Sequence, residues 1–120
     1  MKLYTREEFL KLPENTIYSE PCKYFIIKGL FCKTSDADYG IRANDFISQD
    51  LLSEIEHPDG IHDCMDAFQQ NMDLLEEGKE IRVDFDMNGR DGRYDNSDKF
   101  IVWDNQDIKN LADYLTKCLK

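Results

Sequence analysis

The stretch Thr16-Ile17-Tyr18-Ser19-Glu20-Pro21-Cys22-Lys23-Tyr24-Phe25-Ile26-Ile27-Lys28-Gly29-Leu30-Phe31-Cys32-Lys33-Thr34 decides the fold. Its first four residues read as a strand that Pro21 ends. From Tyr24 to Thr34 the chain is again apolar and aromatic, with Gly29 in its middle. That run is either one bent strand or two strands at a tight glycine turn. Strands joined by so few residues pair antiparallel, so the centre of the protein is predicted to be an antiparallel sheet.

Upstream, Thr5-Arg6-Glu7-Glu8 fits a capping box, with Thr5 as N-cap and Glu8 three residues on. Phe9, Leu10 and Leu12 follow, and Pro13 stops a helix of about two turns. Downstream, Ser35 to Gly40 is a polar turn, and Ile41 to Ile47 has a weaker strand pattern. Met65, Phe68, Met72 and Leu75 recur at spacings of three and four, which predicts a helix with Gly78 just past its end. The acidic residues Asp63, Asp66, Asp73, Glu76 and Glu77 fall on its other side, as a solvated face would place them.

Ile81, Val83 and Phe85 alternate with polar residues, so Glu80 to Phe85 is expected as a half-buried strand. Phe100-Ile101-Val102-Trp103 is continuously apolar, as a central strand would be. Asp104 or Asn105 caps a last helix whose expected buried stripe is Ile108, Leu111, Ala112, Leu115 and Leu119. Clustered strands with flanking helices give an α+β class. The expectation is one domain over residues 1–120, with a mostly antiparallel sheet of about five strands, two longer helices and a short N-terminal helix.

Composition supports a packed chain. Apolar residues make up 41% and aromatic residues 12%, enough for one core in 120 residues. Twenty-five acidic residues against 15 basic ones leave a net charge of -10. Such a field repels phosphate backbones, so direct nucleic-acid binding is disfavoured and basic partners are favoured. The bland alternative is that the charge serves solubility. The start of the chain turns acidic before any apolar run, which speaks against a secretory signal, and no run reaches the ~20 residues of a membrane span. Cys22, Cys32, Cys64 and Cys118 show no CxxC spacing. Free thiols in a reducing, cytoplasmic compartment account for them most simply.

The chemically pointed segment is Asp84-Phe85-Asp86-Met87-Asn88-Gly89-Arg90-Asp91-Gly92-Arg93-Tyr94-Asp95. Asp84, Asp86 and Asn88 match the D-x-D-x-N-G opening of a calcium loop, and Asp95 falls at its twelfth position. Calcium is the cofactor such a set would take. Against it stand a strand-like run before Asp84, a second strand after it, and the charges of Arg90 and Arg93. The bland reading is a long hairpin loop held by glycine turns and Asx hydrogen bonds. The third reading is a recognition loop, since loops this long often carry function and Arg90, Asp91, Arg93 and Tyr94 offer hot-spot chemistry.

His57-Pro58-Asp59-Gly60-Ile61-His62-Asp63-Cys64 holds ligand types for zinc, but no recognised ligand spacing. GxSxG, P-loop, GxGxxG and HExxH signatures are missing, so nothing selects a catalytic residue.

Thr5 to Pro13, with Thr16-Ile17-Tyr18-Ser19 after it, resembles the opening of small proteins encoded by phages and prophages of gut-type bacteria. Gly89-Arg90-Asp91-Gly92, Tyr94-Asp95 and the closing Phe100–Trp103 strand with its helix extend the resemblance to about half of the chain. It implies a mobile-element context and no catalytic residue.

The function expected from the sequence is therefore non-catalytic: an acidic phage or prophage accessory protein that binds and modulates a host protein. One version is a nucleic-acid mimic that fills a basic cleft. The alternatives are a small calcium-binding module, or a nucleotide or small-molecule binder with a pocket of Tyr24, Tyr94, Trp103 and the loop arginines. A homodimer is compatible with each.

Overall fold

The computed structural model describes residues 1–36, 44–56 and 64–120. The described elements are β1 (Lys2–Thr5), α1 (Arg6–Leu10), β2 (Thr16–Cys22), β3 (Ile26–Asp36), β4 (Phe46–Asp50), α2 (Cys64–Glu76), β5 (Gly89–Arg90), β6 (Lys99–Val102) and α3 (Asn105–Lys117). The strands form one sheet in the order β1-β6-β2-β3-β4-β5, and every pairing is antiparallel. The α+β class holds, with six strands in place of about five.

The central hairpin is β2 against β3, and β3 is one bent strand. Between Tyr18↔Phe31 and Glu20↔Lys28 the register slips, so two residues of β3 oppose Ser19. Gly29 takes up this bulge at φ +71°, and a Cβ there would lie 2.6 Å from the Phe31 ring. Ser19 is fully buried at the same place, donating from its Oγ to the Gly29 carbonyl at 2.6 Å and accepting from Trp103 Nε1 at 3.0 Å. Pro21 does not end β2, which runs on to Cys22. β6 pairs only with Tyr18 and Ser19, so on that side Pro21 faces no ladder and its missing N–H costs nothing.

β6 lies between β1 and β2, which is the central position expected for Phe100–Trp103. β1 is the element that went unread: four residues that pair as Lys2↔Val102 through Thr5↔Lys99. Glu80 to Phe85 forms no ladder. It makes one isolated bridge, Val83 to Ile55. Backbone bonds from the Asp84 N–H to the Glu54 carbonyl and from the Glu56 N–H to the Arg82 carbonyl flank that bridge, and the Gln49 amide holds the chain just beyond it, donating from Nε2 to the Asp84 carbonyl and accepting at Oε1 from the Met87 N–H. The expected strand is thus reduced to a single backbone bridge, and Phe85 is left exposed.

The core lies under α1. Phe9 is fully buried, stacked on Phe100 at 4.1 Å and edge-on to Tyr18 and Phe46 at 4.8 and 5.0 Å. Tyr4, Leu10, Leu12, Phe31 and Val102 pack round this cluster. The Thr5–Glu8 capping box is present in both directions. Five residues cannot hold a helix in water by themselves, so α1 exists because Phe9 is inserted.

The two longer helices contribute less than expected. α2 ends as the sequence indicates, with Gly78 at φ +80° and the paired bonds Gly78 N–H to Leu75 O and Lys79 N–H to Leu74 O. Phe68 and Leu75 on its apolar stripe are nevertheless exposed. In α3 no residue is buried, which overturns the expected buried stripe: Ile108 and Leu111 are half-buried, while Ala112, Leu115 and Leu119 are exposed. Cys22 and Cys32 are half-buried free thiols and Cys118 is an exposed one. No described helix is long and apolar enough to cross a membrane.

Replacing Phe9 by Ala removes the ring on which three others pack, without a route for the strands to close over the space. We expect Phe9→Ala to lower the unfolding free energy by about 3–5 kcal/mol in urea denaturation, against about 1 kcal/mol or less for Phe85→Ala.

Candidate functional site

The residues singled out between Arg90 and Tyr94 do come together, and the structure shows how. β5 joins the sheet at β4, whereas β6 lies three strands away on the far side of β2 and β3. The intervening residues 91–98 therefore cross the sheet, and are not the loop of a hairpin as expected. Two buried charges brace the crossing.

The first is Asp45, just before β4, whose side chain has no solvent exposure. Its Oδ2 accepts from Arg90 Nε at 2.9 Å and from the Tyr94 hydroxyl at 3.2 Å. Its Oδ1 accepts from the Phe46 N–H at 2.9 Å and the Gly92 N–H at 3.0 Å. Arg90 NH2 also donates to the Tyr94 hydroxyl. Tyr94 has φ +53° and Gly92 φ +66°, so the backbone turns left-handed twice to bring these groups inward. Burial works to raise the Asp45 carboxyl, but the donors from Gly92, Arg90, Phe46 and Tyr94 outweigh it and hold the group below the ordinary aspartate range.

The second is Arg6, 1% exposed, on the first turn of α1. Its Nε and NH2 donate to the Asn44 carbonyl at 3.0 and 2.5 Å. Its NH1 is paired with Asp91 at 2.9 Å and faces Asp98 at 3.7 Å. Asp98 in turn takes Arg93 NH2 at 3.1 Å, and Asp91 accepts the Arg93 N–H. Arg90 and Tyr94 thus belong to the network round Asp45, and Asp91 and Arg93 to the adjoining one round Arg6 and Asp98. Of the four, Arg93 presents the most charge outward, with its side chain 62% exposed. Beside it opens a cleft of about 290 Å³, lined by Phe100, Asp91, Arg93, Asp98, Lys99 and Glu20 among others.

The residues of the calcium pattern are arranged differently. Asp84 Oδ1 accepts the Asp86 N–H, as an Asx turn does. Gly89 is drawn into β5 next to Asn88, and Asp95 accepts from the Ser97 hydroxyl and N–H at 2.6 and 2.9 Å. Those two bonds keep the Asp95 carboxyl below its usual range. Among the described residues no three His, Cys, Asp or Glu side chains converge to hold an ion. Residues His57 to Asp63 lie outside the described residues, and with them the histidine pair considered for zinc. The pocket imagined from Tyr24, Tyr94 and Trp103 is dispersed: Tyr24 stands exposed in the turn between β2 and β3, Tyr94 faces Asp45, and Trp103 is held by Ser19.

Asp45 and Arg6 are the residues that sequence reading missed. Arg6 carried a signal, since it stands three residues before Phe9 and four before Leu10, on the buried side of its helix. Asp45 had none beyond its place before an apolar residue. Comparison with protein-family models, with curated proteins and with solved structures finds no match.

A carboxyl held below its unfolded value adds stability that is complete above about pH 4 and is lost as pH falls through the lower folded value. Asp45→Asn opposes an amide N–H to Arg90 and Tyr94 while keeping the side chain's shape. It should cost about 1–3 kcal/mol at pH 7. The gap between wild type and variant should narrow steadily below pH 4, which urea titrations at several pH values would measure.

Proposed function

We propose that this chain is a non-catalytic acidic binding protein, of the accessory kind carried by phages and prophages, that docks on a host protein with a basic surface. The observation that carries the reading is the crossing segment 91–98, braced from beneath by Asp45 and Arg6 and carrying Arg93 beside an open cleft. A segment of eight residues without a ladder of its own would ordinarily lose much conformational freedom on binding. Bracing removes most of that cost before a partner arrives.

The charges suit the same partner. Glu20, Asp91 and Asp98 line the cleft beside Arg93, and the Ser97 bonds hold the nearby Asp95 carboxyl below its usual range. A net charge of -10 speeds encounter with a basic surface and repels nucleic acid. Arg93 supplies a planar donor within that field, and arginine is one of the residue types enriched at interface hot spots. The resemblance of Thr5–Pro13 and Gly89–Asp95 to phage and prophage proteins supports a host protein as the target.

Capture from host lysate tests this, using wild type and the double variant Arg93→Ala/Asp95→Asn, which leaves Asp45 and Arg6 untouched. Wild type should retain a specific basic protein at low salt and lose most of it at high salt. The double variant should bind that protein about tenfold or more weakly. Equal retention by both forms, or no specific partner at either salt, would refute the reading.

A further inference from the structure

The hairpin of β2 and β3 runs past the rest of the sheet. β6 pairs with β2 at Tyr18 and Ser19, and β4 pairs with β3 from Phe31 onward. The pairs Glu20↔Lys28, Pro21↔Ile27 and Cys22↔Ile26 therefore form a two-stranded arm, with no strand beside it among the described residues. Its tip exposes three consecutive apolar residues, Tyr24 at 80%, Phe25 at 77% and Ile26 at 76%. A surface that meets only water avoids such a run. The backbone breaks a second rule there. Ile26 has φ +69°, a left-handed turn position that glycine or asparagine fills without strain and a β-branched residue resists. Being so exposed, its side chain gains little packing within the chain to offset that strain. A strained isoleucine beside two bare aromatic rings points to a contact outside the chain.

Charge indicates the kind of partner. From Pro21 to Thr34 the sequence has three lysines and no acid, in a chain with 25 acidic residues. Lys33 is buried, but Lys23 and Lys28 are exposed, one on each side of the tip. Neither is in an ion pair among the described residues, and Lys23 lies 5.8 Å from the centre of the Tyr24 ring. Glu20, opposite Lys28, is the one acid of the arm and stands at its base. Lys23 is about 10 Å further out, at about 3.3 Å per residue. The Debye length is about 8 Å at physiological ionic strength, so the field of the acidic body is largely screened at the tip. Tyrosine and phenylalanine suit the boundary between water and acyl chains, where the phenol keeps its hydroxyl wet. The two ammonium groups then lie at headgroup depth, where anionic lipid attracts them. A protein pocket would have to match the shape of the tip. A bilayer interface asks only for apolar residues ahead of cations, which is what the arm supplies.

We infer that the β2–β3 arm is a membrane-docking element: Tyr24, Phe25 and Ile26 enter the boundary of an anionic bilayer while Lys23 and Lys28 meet its phosphates. Three side chains and two charges make a small anchor, so docking is shallow and reversible. The inference does not rest on the braced segment, and salt separates the two surfaces. At about 0.01 M ionic strength the Debye length grows to about 30 Å, longer than the arm, and the lipid then repels the body with its net charge of -10. Vesicle binding therefore passes through a maximum near physiological salt. Attraction to a basic protein falls steadily as salt is added.

Flotation of the full chain with phosphatidylcholine vesicles, with and without about one-third phosphatidylglycerol, tests it. At physiological salt the mixed vesicles should bind about tenfold more tightly than the neutral ones. Phe25→Ser should weaken binding to the mixed vesicles by about tenfold. Ile26→Gly should also weaken it while raising the melting temperature, because glycine takes the left-handed position without strain. The double variant Lys23→Gln/Lys28→Gln should remove the preference for phosphatidylglycerol. No flotation with either vesicle overturns the proposal, as does binding that Phe25→Ser and Ile26→Gly both leave unchanged. A steady fall in binding from low salt upward overturns it too, and so does a tip that retains a protein but no vesicle.

Discussion

A fully buried guanidinium governs this structure. Arg6 has been taken out of water on the first turn of a five-residue helix, and a charge in that position must be matched by acceptors or it would not stay folded. The Asn44 carbonyl supplies one acceptor, and Asp91 and Asp98 supply the opposing charge. Those two aspartates lie at the two ends of the crossing segment. Neutralising Arg6 therefore fixes the path of residues 91–98 over the sheet. The N-terminal helix and the candidate binding segment are two sides of one electrostatic requirement.

A second buried cation completes the seat of α1. Lys33 rises from β3 on the same face as Phe31, and its Nζ donates to the carbonyls of Leu10 and Leu12 at 3.0 and 2.7 Å. It lies 5.5 Å from the Phe9 ring centre and pairs with Asp36 at 2.9 Å. A cation at the C-terminal end of a helix meets orphan carbonyls, here in place of a further turn. Arg6 sits over the Phe46 ring at 5.4 Å in the same way. The aromatic cluster is thus flanked by two cations whose polar partners lie on different parts of the chain. Buried pairs of this kind contribute less to net stability than apolar packing would, because desolvation offsets most of their attraction. What they confer is register: a helix shifted by one residue would leave both cations without acceptors.

Local chemistry was legible in the sequence, and long-range covering was not. The capping box at Thr5, the helix end at Gly78 and the central position of Phe100–Trp103 follow from residue types acting over a few positions. The strand expected at Glu80–Phe85 shrinks to one bridge with Ile55, flanked by backbone bonds to Glu54 and Glu56, a distant segment whose residues do not mark it as a strand. The two-residue β5 and the four-residue β1 escaped because strands that short carry no period. The four loop residues Arg90, Asp91, Arg93 and Tyr94 were identified by type and do cluster. Their partners, Arg6 and Asp45, could not be read, since a buried ion pair requires knowing which distant segments meet. The D-x-D-x-N-G spacing misled for the same reason: Asp84 and Asp86 satisfy a local turn, while Asp95 is turned toward Ser97.

The distribution of charge between inside and outside sharpens what the net value of -10 means. Among the described residues two bases, Arg6 and Lys33, and one acid, Asp45, are buried, so the buried cations screen the solvent-facing carboxylates less than a count of charges implies. The surface field is accordingly more acidic than composition alone suggests. Against that field one feature stands out. Arg93 keeps a cation at the surface beside a cleft, where its pair with Asp98 and its backbone bond to Asp91 fix it as a positive point in an acidic surface.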